Sequence, residues 1–125
     1  MNKNLTITSI IGAVTIILGA FGAHALAKTL TIEGMNSFEI AVRYQMYHVI
    51  VLLFVNTYQG FNDKQKNRIS NLFFLGILFF SGSIYAIQLL GVSAKSIWFI
   101  TPLGGLFFML GWLFMVIAFA KRNQQ

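Results

Sequence analysis

The side chains best suited to chemistry fall within ten residues of one another. Glu39, Arg43, Tyr44, Gln45, Tyr47 and His48 bring together a carboxylate, a guanidinium, an amide, two phenols and an imidazole. The apolar run Val49-Ile50-Val51-Leu52-Leu53-Phe54-Val55 follows directly. Such a set could relay protons, because imidazole titrates near neutral pH. With His24, the other histidine of the chain, His48 could in principle ligate one haem between adjacent helices. The plainer reading is that both imidazoles hydrogen-bond to Gln45, Tyr85, Gln88 or a backbone carbonyl and hold helices together, the usual fate of polar groups inside a membrane. No cofactor is therefore expected. The chain has no Cys, which excludes disulfides, thiolate metal sites and cysteine nucleophiles.

The elements that must position these groups follow from composition. Of 125 residues, 57% are hydrophobic and 10% charged, where soluble domains carry about 25% charged residues. A soluble chain of this size cannot hide so much apolar surface, so the partner is the lipid bilayer. The net charge of +6 does not point to nucleic acid, because the cations form no patch but sit between apolar runs, as in loops flanking spans.

Four such runs, at about 5–27, 38–60, 69–91 and 97–120, each approach the ~20 residues that cross a bilayer. The fold expected is an all-α membrane protein, a single four-transmembrane-helix bundle. Gly12, Gly19 and Ala23 give the first span a small-residue seam that admits close helix approach, so it is expected to be the central, most buried helix. Asn36 or Ser37 is the expected N-cap of the second span, with Glu39 in its first turn. Residues 61–71 read as a solvated loop, and Pro102 falls in the first turn of the fourth span. Lys3, Lys64, Lys66, Arg68, Lys121 and Arg122 share one side, against Lys28, Arg43 and Lys95 on the other. The positive-inside rule then puts both termini in the cytoplasm.

Helical phase, at about 100° per residue, assigns faces. On span two, Ala41, Tyr44, Gln45, His48, Leu52, Val55, Asn56 and Gln59 face inward, opposite Val42, Met46, Val49, Ile50, Leu53 and Phe54. Glu39, Arg43 and Tyr47 occupy a third sector, where Glu39 and Arg43 at i, i+4 can pair. On span one, Thr6, Ala13, Ile17, Ala20 and His24 align; on span three, Ser81, Tyr85 and Gln88 do. Thr101 lies at the matching height in span four. The expected site is thus a polar layer of His24, Tyr44, Gln45, His48, Tyr85, Gln88 and Thr101, with Glu39 and Arg43 at the interface.

Four motifs carry a resemblance. Gly19-Ala20-Phe21-Gly22-Ala23-His24, Tyr44-Gln45-Met46-Tyr47-His48, Phe79-Phe80-Ser81-Gly82-Ser83-Ile84-Tyr85 and Ile100-Thr101-Pro102-Leu103-Gly104-Gly105 resemble the DUF423 family, also labelled UPF0382, small bacterial membrane proteins related to transmembrane protein 256. The resemblance spans nearly the whole chain. It implies a four-span inner-membrane protein and no particular activity. The expected function is a structural or accessory bundle that binds a lipid, a partner or a second copy of itself. The alternative is a subunit of a transporter or channel working through a His-based polar site, since no Asp or Glu lies inside a span. An enzyme is not expected: Ser81 and Ser83 have no evident base at their depth, and Gly104-Gly105 lacks the Lys and Ser/Thr of a phosphate loop.

Overall fold

In a hydrocarbon solvent every backbone N–H and C=O must find its partner within the chain, which leaves helices as the means of crossing. A computed structural model describes residues 3–123, with the side chains of residues 23, 122 and 123 outside the described set. Among the described residues, four helices are long and apolar enough to span a membrane. They are α1 (Lys3–His24), α2 (Ile32–Thr57), α3 (Asp63–Leu90) and α4 (Ile100–Asn123). A 3-10 turn, Leu26–Lys28, follows α1.

Local chemistry sets the boundaries, and two differ from the sequence expectation. α2 starts at Ile32, several residues before Asn36 and Ser37, because the Thr31 side chain accepts from the Gly34 N–H at 3.0 Å and caps the helix there. The stretch expected as a loop over 61–71 is helical from Asp63. Asn62 Oδ1 accepts from Gln65 N at 2.8 Å while Gln65 Oε1 accepts from Asn62 N at 3.0 Å, a reciprocal capping box. Lys64, Lys66 and Arg68 therefore stand on the first turns of α3 rather than on a free loop. At its far end α3 stops at Gly91, which takes a left-handed conformation with φ 73°.

α3 is not uniform. Between α-helical Asp63–Gly76 and Gly82–Leu90 lies a π-helical turn, Ile77–Ser81, in which the Gly82 N–H reaches back to the Ile77 carbonyl. The α4 backbone presses on this widened turn at Gly104. A Cβ there would come 2.2 Å from the Phe80 nitrogen and 2.6 Å from its Cα. Gly76 and Gly111 repeat the device against rings, receiving Phe108 and Phe73. The small residues that matter most for close approach thus join α3 to α4.

The central helix is α2, not α1. Of α1's most apolar stretch 17% is buried, against 39% for α2, and α1 packs chiefly on α2 while α2 also meets both halves of α3. The seam of α1 accommodates one neighbour: Gly12 lies against Val49, Gly19 against Val42 and Gly22 against the Phe38 ring. The principal core cluster lies toward the end of the bundle that holds the termini. It includes Leu52, Val55, Ile69, Phe73, Ile77, Phe108 and Met115.

Gly104→Ala should lower thermal stability in detergent by about 1–3 kcal/mol, since the clash is with backbone and cannot be relieved by a rotamer change. Gly105→Ala, whose Cβ meets nothing within 4 Å, should melt as the wild type does. Equal melting temperatures for the two variants would contradict the close contact at Phe80.

Candidate functional site

Gln45 is the junction of the polar layer. It is 3% exposed, and its amide ties α2 to two other helices. Nε2 donates to Thr15 Oγ1 at 2.7 Å and to the Ile11 carbonyl at 3.4 Å on α1, while Oε1 accepts from the Tyr85 hydroxyl at 2.7 Å on α3. The Thr15 hydroxyl donates to the Ile11 carbonyl at 2.6 Å, which leaves its lone pairs free for the Gln45 amide. One turn before Gln45, the Ala41 carbonyl accepts from Ser81 Oγ at 2.7 Å. Ser83 on α3 shares a short hydroxyl–hydroxyl hydrogen bond with Thr101 on α4.

His48 sits one turn below Gln45 in an aromatic box. Its ring stacks on Phe108 at 3.8 Å between centroids and 9° between planes, with Phe73 and Trp112 at 5.2 and 6.1 Å. Nδ1 lies 2.7 Å from the Tyr44 carbonyl, and Trp112 Nε1 donates to Nε2 at 3.1 Å. A carbonyl can only accept and an indole N–H can only donate, so this pair of bonds requires the neutral Nδ1–H tautomer. Both ring nitrogens are committed.

A second polar group, not anticipated from sequence, closes the end of the bundle that holds the termini. Asn56 Nδ2 donates to Ser70 Oγ at 2.8 Å and to the Leu52 carbonyl at 2.9 Å. Asn4 Nδ2 donates to Asn56 Oδ1 and to Asn67 Oδ1, each at 3.0 Å. The signal available in sequence was Asn56, which phase had placed inward. Its side-chain partners are Asn4, just before the expected first span, and Ser70, in the stretch 61–71 expected as a loop.

Span one differs most from expectation. The face carrying Thr6, Ala13, Ile17, Ala20 and His24 is the exposed one, and the buried residues are Thr8, Thr15 and Gly22 on the opposite side. His24 is exposed and does not converge with His48; Thr15 takes the place assigned to it. Tyr44 is 41% exposed and stacks on Phe80 at 5.2 Å rather than entering the layer. Gln88 lies against the first turn of α2, its Oε1 2.7 Å from where a Gly34 Cβ would sit. Glu39 and Arg43 are exposed on α2, and among the described residues no ion pair joins them.

Among the described residues, no buried side-chain polar atom lacks a hydrogen-bond partner. No group of three or more His, Asp and Glu that could hold a metal ion occurs among them. The polar layer is complete as it stands.

An all-helical chain with four membrane-spanning helices and self-satisfied polar crossties is an integral membrane bundle. The family model described as "Protein of unknown function (DUF423)" matches residues 18–105. The chain is 42% identical over 103 residues to a UPF0382 membrane protein of Staphylococcus haemolyticus, covering 82% of this chain and 83% of that one. It is 37% identical over 113 residues to a UPF0382 membrane protein of Haemophilus influenzae, covering 90% and 89%. The UPF0382 inner membrane protein YgdD of Escherichia coli is 35% identical over 129 aligned positions, with 97% and 92% covered. No solved structure matches. The chain belongs to the DUF423/UPF0382 family of bacterial inner-membrane proteins.

Gln45→Leu removes crossties to two helices and should cost about 1–2 kcal/mol, given the typical worth of interhelical hydrogen bonds in membranes. His24→Ala should stay within about 0.5 kcal/mol of wild type. Thermal unfolding of both variants in one detergent checks the assignment, which fails if His24→Ala is the more damaging.

Proposed function

We propose that this protein is a non-catalytic accessory bundle that carries an aminophospholipid, phosphatidylethanolamine in chemistry, in the groove between α1 and α2 near the 3-10 turn. The groove has a volume of about 320 Å3. Gly19 and Gly22 line its α1 side, Met35, Phe38 and Val42 its α2 side, and Glu39 and Arg43 border it. The observation that carries the reading is the order of those two charges. α2 enters the membrane from this end, so Arg43 lies deeper than Glu39 by roughly 6 Å at 1.5 Å per residue. A phospholipid presents its groups in the same order, phosphate near the glycerol and ammonium farther out. Arg43 then meets the phosphate in bidentate fashion, Glu39 meets the ammonium, and the glycine-floored groove takes an acyl chain.

A transport subunit working through His48 fits less well. Both imidazole nitrogens are already bonded, and the layer around them has no polar atom seeking a partner among the described residues. We propose further that the termini face the cytoplasm. Six cations against three support this orientation, and a fluorescent-protein fusion at the C-terminus should light up in cells, whereas a periplasmic reporter there should stay silent.

Native mass spectrometry of the purified protein with phosphatidylethanolamine and phosphatidylcholine tests the lipid reading, because choline offers no N–H to a carboxylate. The wild type should prefer phosphatidylethanolamine. Glu39→Gln should erase that preference, and Arg43→Gln should weaken both lipids by roughly fivefold, the worth of about 1 kcal/mol per interfacial charge. A preference that survives Glu39→Gln rules out the assigned headgroup contact.

A further inference from the structure

At the opposite end of the bundle, around the turn from α2 to α3, lies a cavity of about 570 Å3 of different character. Lys64 and Arg68 from α3 and Lys121 from the last turn of α4 line it, and among the described residues no carboxylate does. Asp63, the acid nearest in sequence, borders the other side of α3, in a groove shared with Lys3, Asn4 and Lys66. Among the described residues, no ion pair neutralises Lys64, Arg68 or Lys121. Apolar side chains of the spans also line the cavity: Ile69 of α3 is buried, as is Phe61 before it, and Ile117 of α4 is 39% exposed. The Arg68 guanidinium lies over the Phe114 ring at 5.3 Å. That cation–π contact holds the guanidinium at the cavity while leaving N–H groups available for a phosphate.

We propose that this cavity is a headgroup site for an anionic phospholipid, such as phosphatidylglycerol, of the leaflet that faces the termini. Three cations lining one cavity, with no counter-ion among the described residues, call for an anion. An apolar wall continuous with the spans calls for one that brings acyl chains with it. Basic pockets where helices leave the membrane hold anionic headgroups in this way, each cation adding roughly fivefold in affinity at low salt. The site is separate from the groove bordered by Glu39 and Arg43, whose two opposite charges suit a zwitterion.

Phosphatidylglycerol and phosphatidylcholine, titrated into the detergent-purified protein and followed by native mass spectrometry and melting temperature, provide the test. The wild type should bind phosphatidylglycerol at least tenfold more tightly and melt higher with it, the difference shrinking as salt is raised. Arg68→Gln should lose roughly fivefold, Lys64→Gln/Arg68→Gln/Lys121→Gln nearly the whole preference, and Arg68→Lys should fall between wild type and Arg68→Gln. Lys66→Gln and Glu39→Gln/Arg43→Gln should both keep the preference. The proposal is overturned if the wild type shows no preference, if the triple variant keeps it, or if Lys66→Gln abolishes it as fully as the triple change. Inorganic phosphate stabilising the protein as much as the lipid does would overturn it too, by making free phosphate the ligand.

Discussion

The amide of Gln45 is the group on which the arrangement of helices depends. Hydrocarbon offers no water to a polar side chain, so an amide at this depth must find its partners on other helices. Gln45 finds Thr15 and the Ile11 carbonyl on one side and Tyr85 on the other. That single side chain sets the rotation of α1 about its axis, turning Thr8 and Thr15 inward and the Ala13–Ile17–Ala20 line out to lipid. It also sets the height of α3, where Ser81 repeats the crosstie to the Ala41 carbonyl.

Packing elaborates what these bonds orient. Apolar side chains gain little by leaving lipid for one another, so close approach and shape carry the remaining specificity. The π turn of α3 and Gly104 form the clearest case: a widened turn receives a helix backbone with no side chain between them. His48 continues the same logic with aromatic faces. Its stack on Phe108 and its bond from Trp112 bring α2 to α4 through side chains. The polar side chains of the interior are thereby used in holding the bundle together. At its two rims, charges stand beside apolar grooves without partners from the described chain: Glu39 and Arg43 at one end, Lys64, Arg68 and Lys121 at the other.

Much of this was legible in the sequence. Four apolar runs of spanning length, cations between them and four ordered motifs identify a four-helix membrane protein of the DUF423/UPF0382 family. On α2 the phase argument also placed Gln45, His48, Leu52 and Val55 on the buried face, where they lie, but it set the buried Val49 on the lipid face and the exposed Tyr44 and Gln59 on the inward one. It worked in part because α2 packs between α1 and α3, so its buried surface is wider than a single stripe. On α1 the same argument chose the wrong face. A helix that meets essentially one neighbour needs only a narrow stripe for contact, and its threonines can satisfy their hydroxyls on their own backbone, as Thr8 does with the Asn4 carbonyl at 2.6 Å. Periodicity alone does not distinguish such a stripe from the opposite line of small residues ending in His24.

Sequence by itself determined the class of protein, the number of spans and the residues able to act as polar crossties, because length and hydropathy are properties each segment carries alone. Tertiary structure decided which crossties meet. Thr15 rather than His24 faces Gln45, Trp112 completes His48, and Asn4, Asn56, Asn67 and Ser70 assemble from three helices. It decided the capping that makes Lys64 and Arg68 residues of a helix whose side meets Lys121. These are relations between segments far apart in the chain, set by rotations of a few tens of degrees and approaches of a few ångströms, to which a pattern read along one helix is blind.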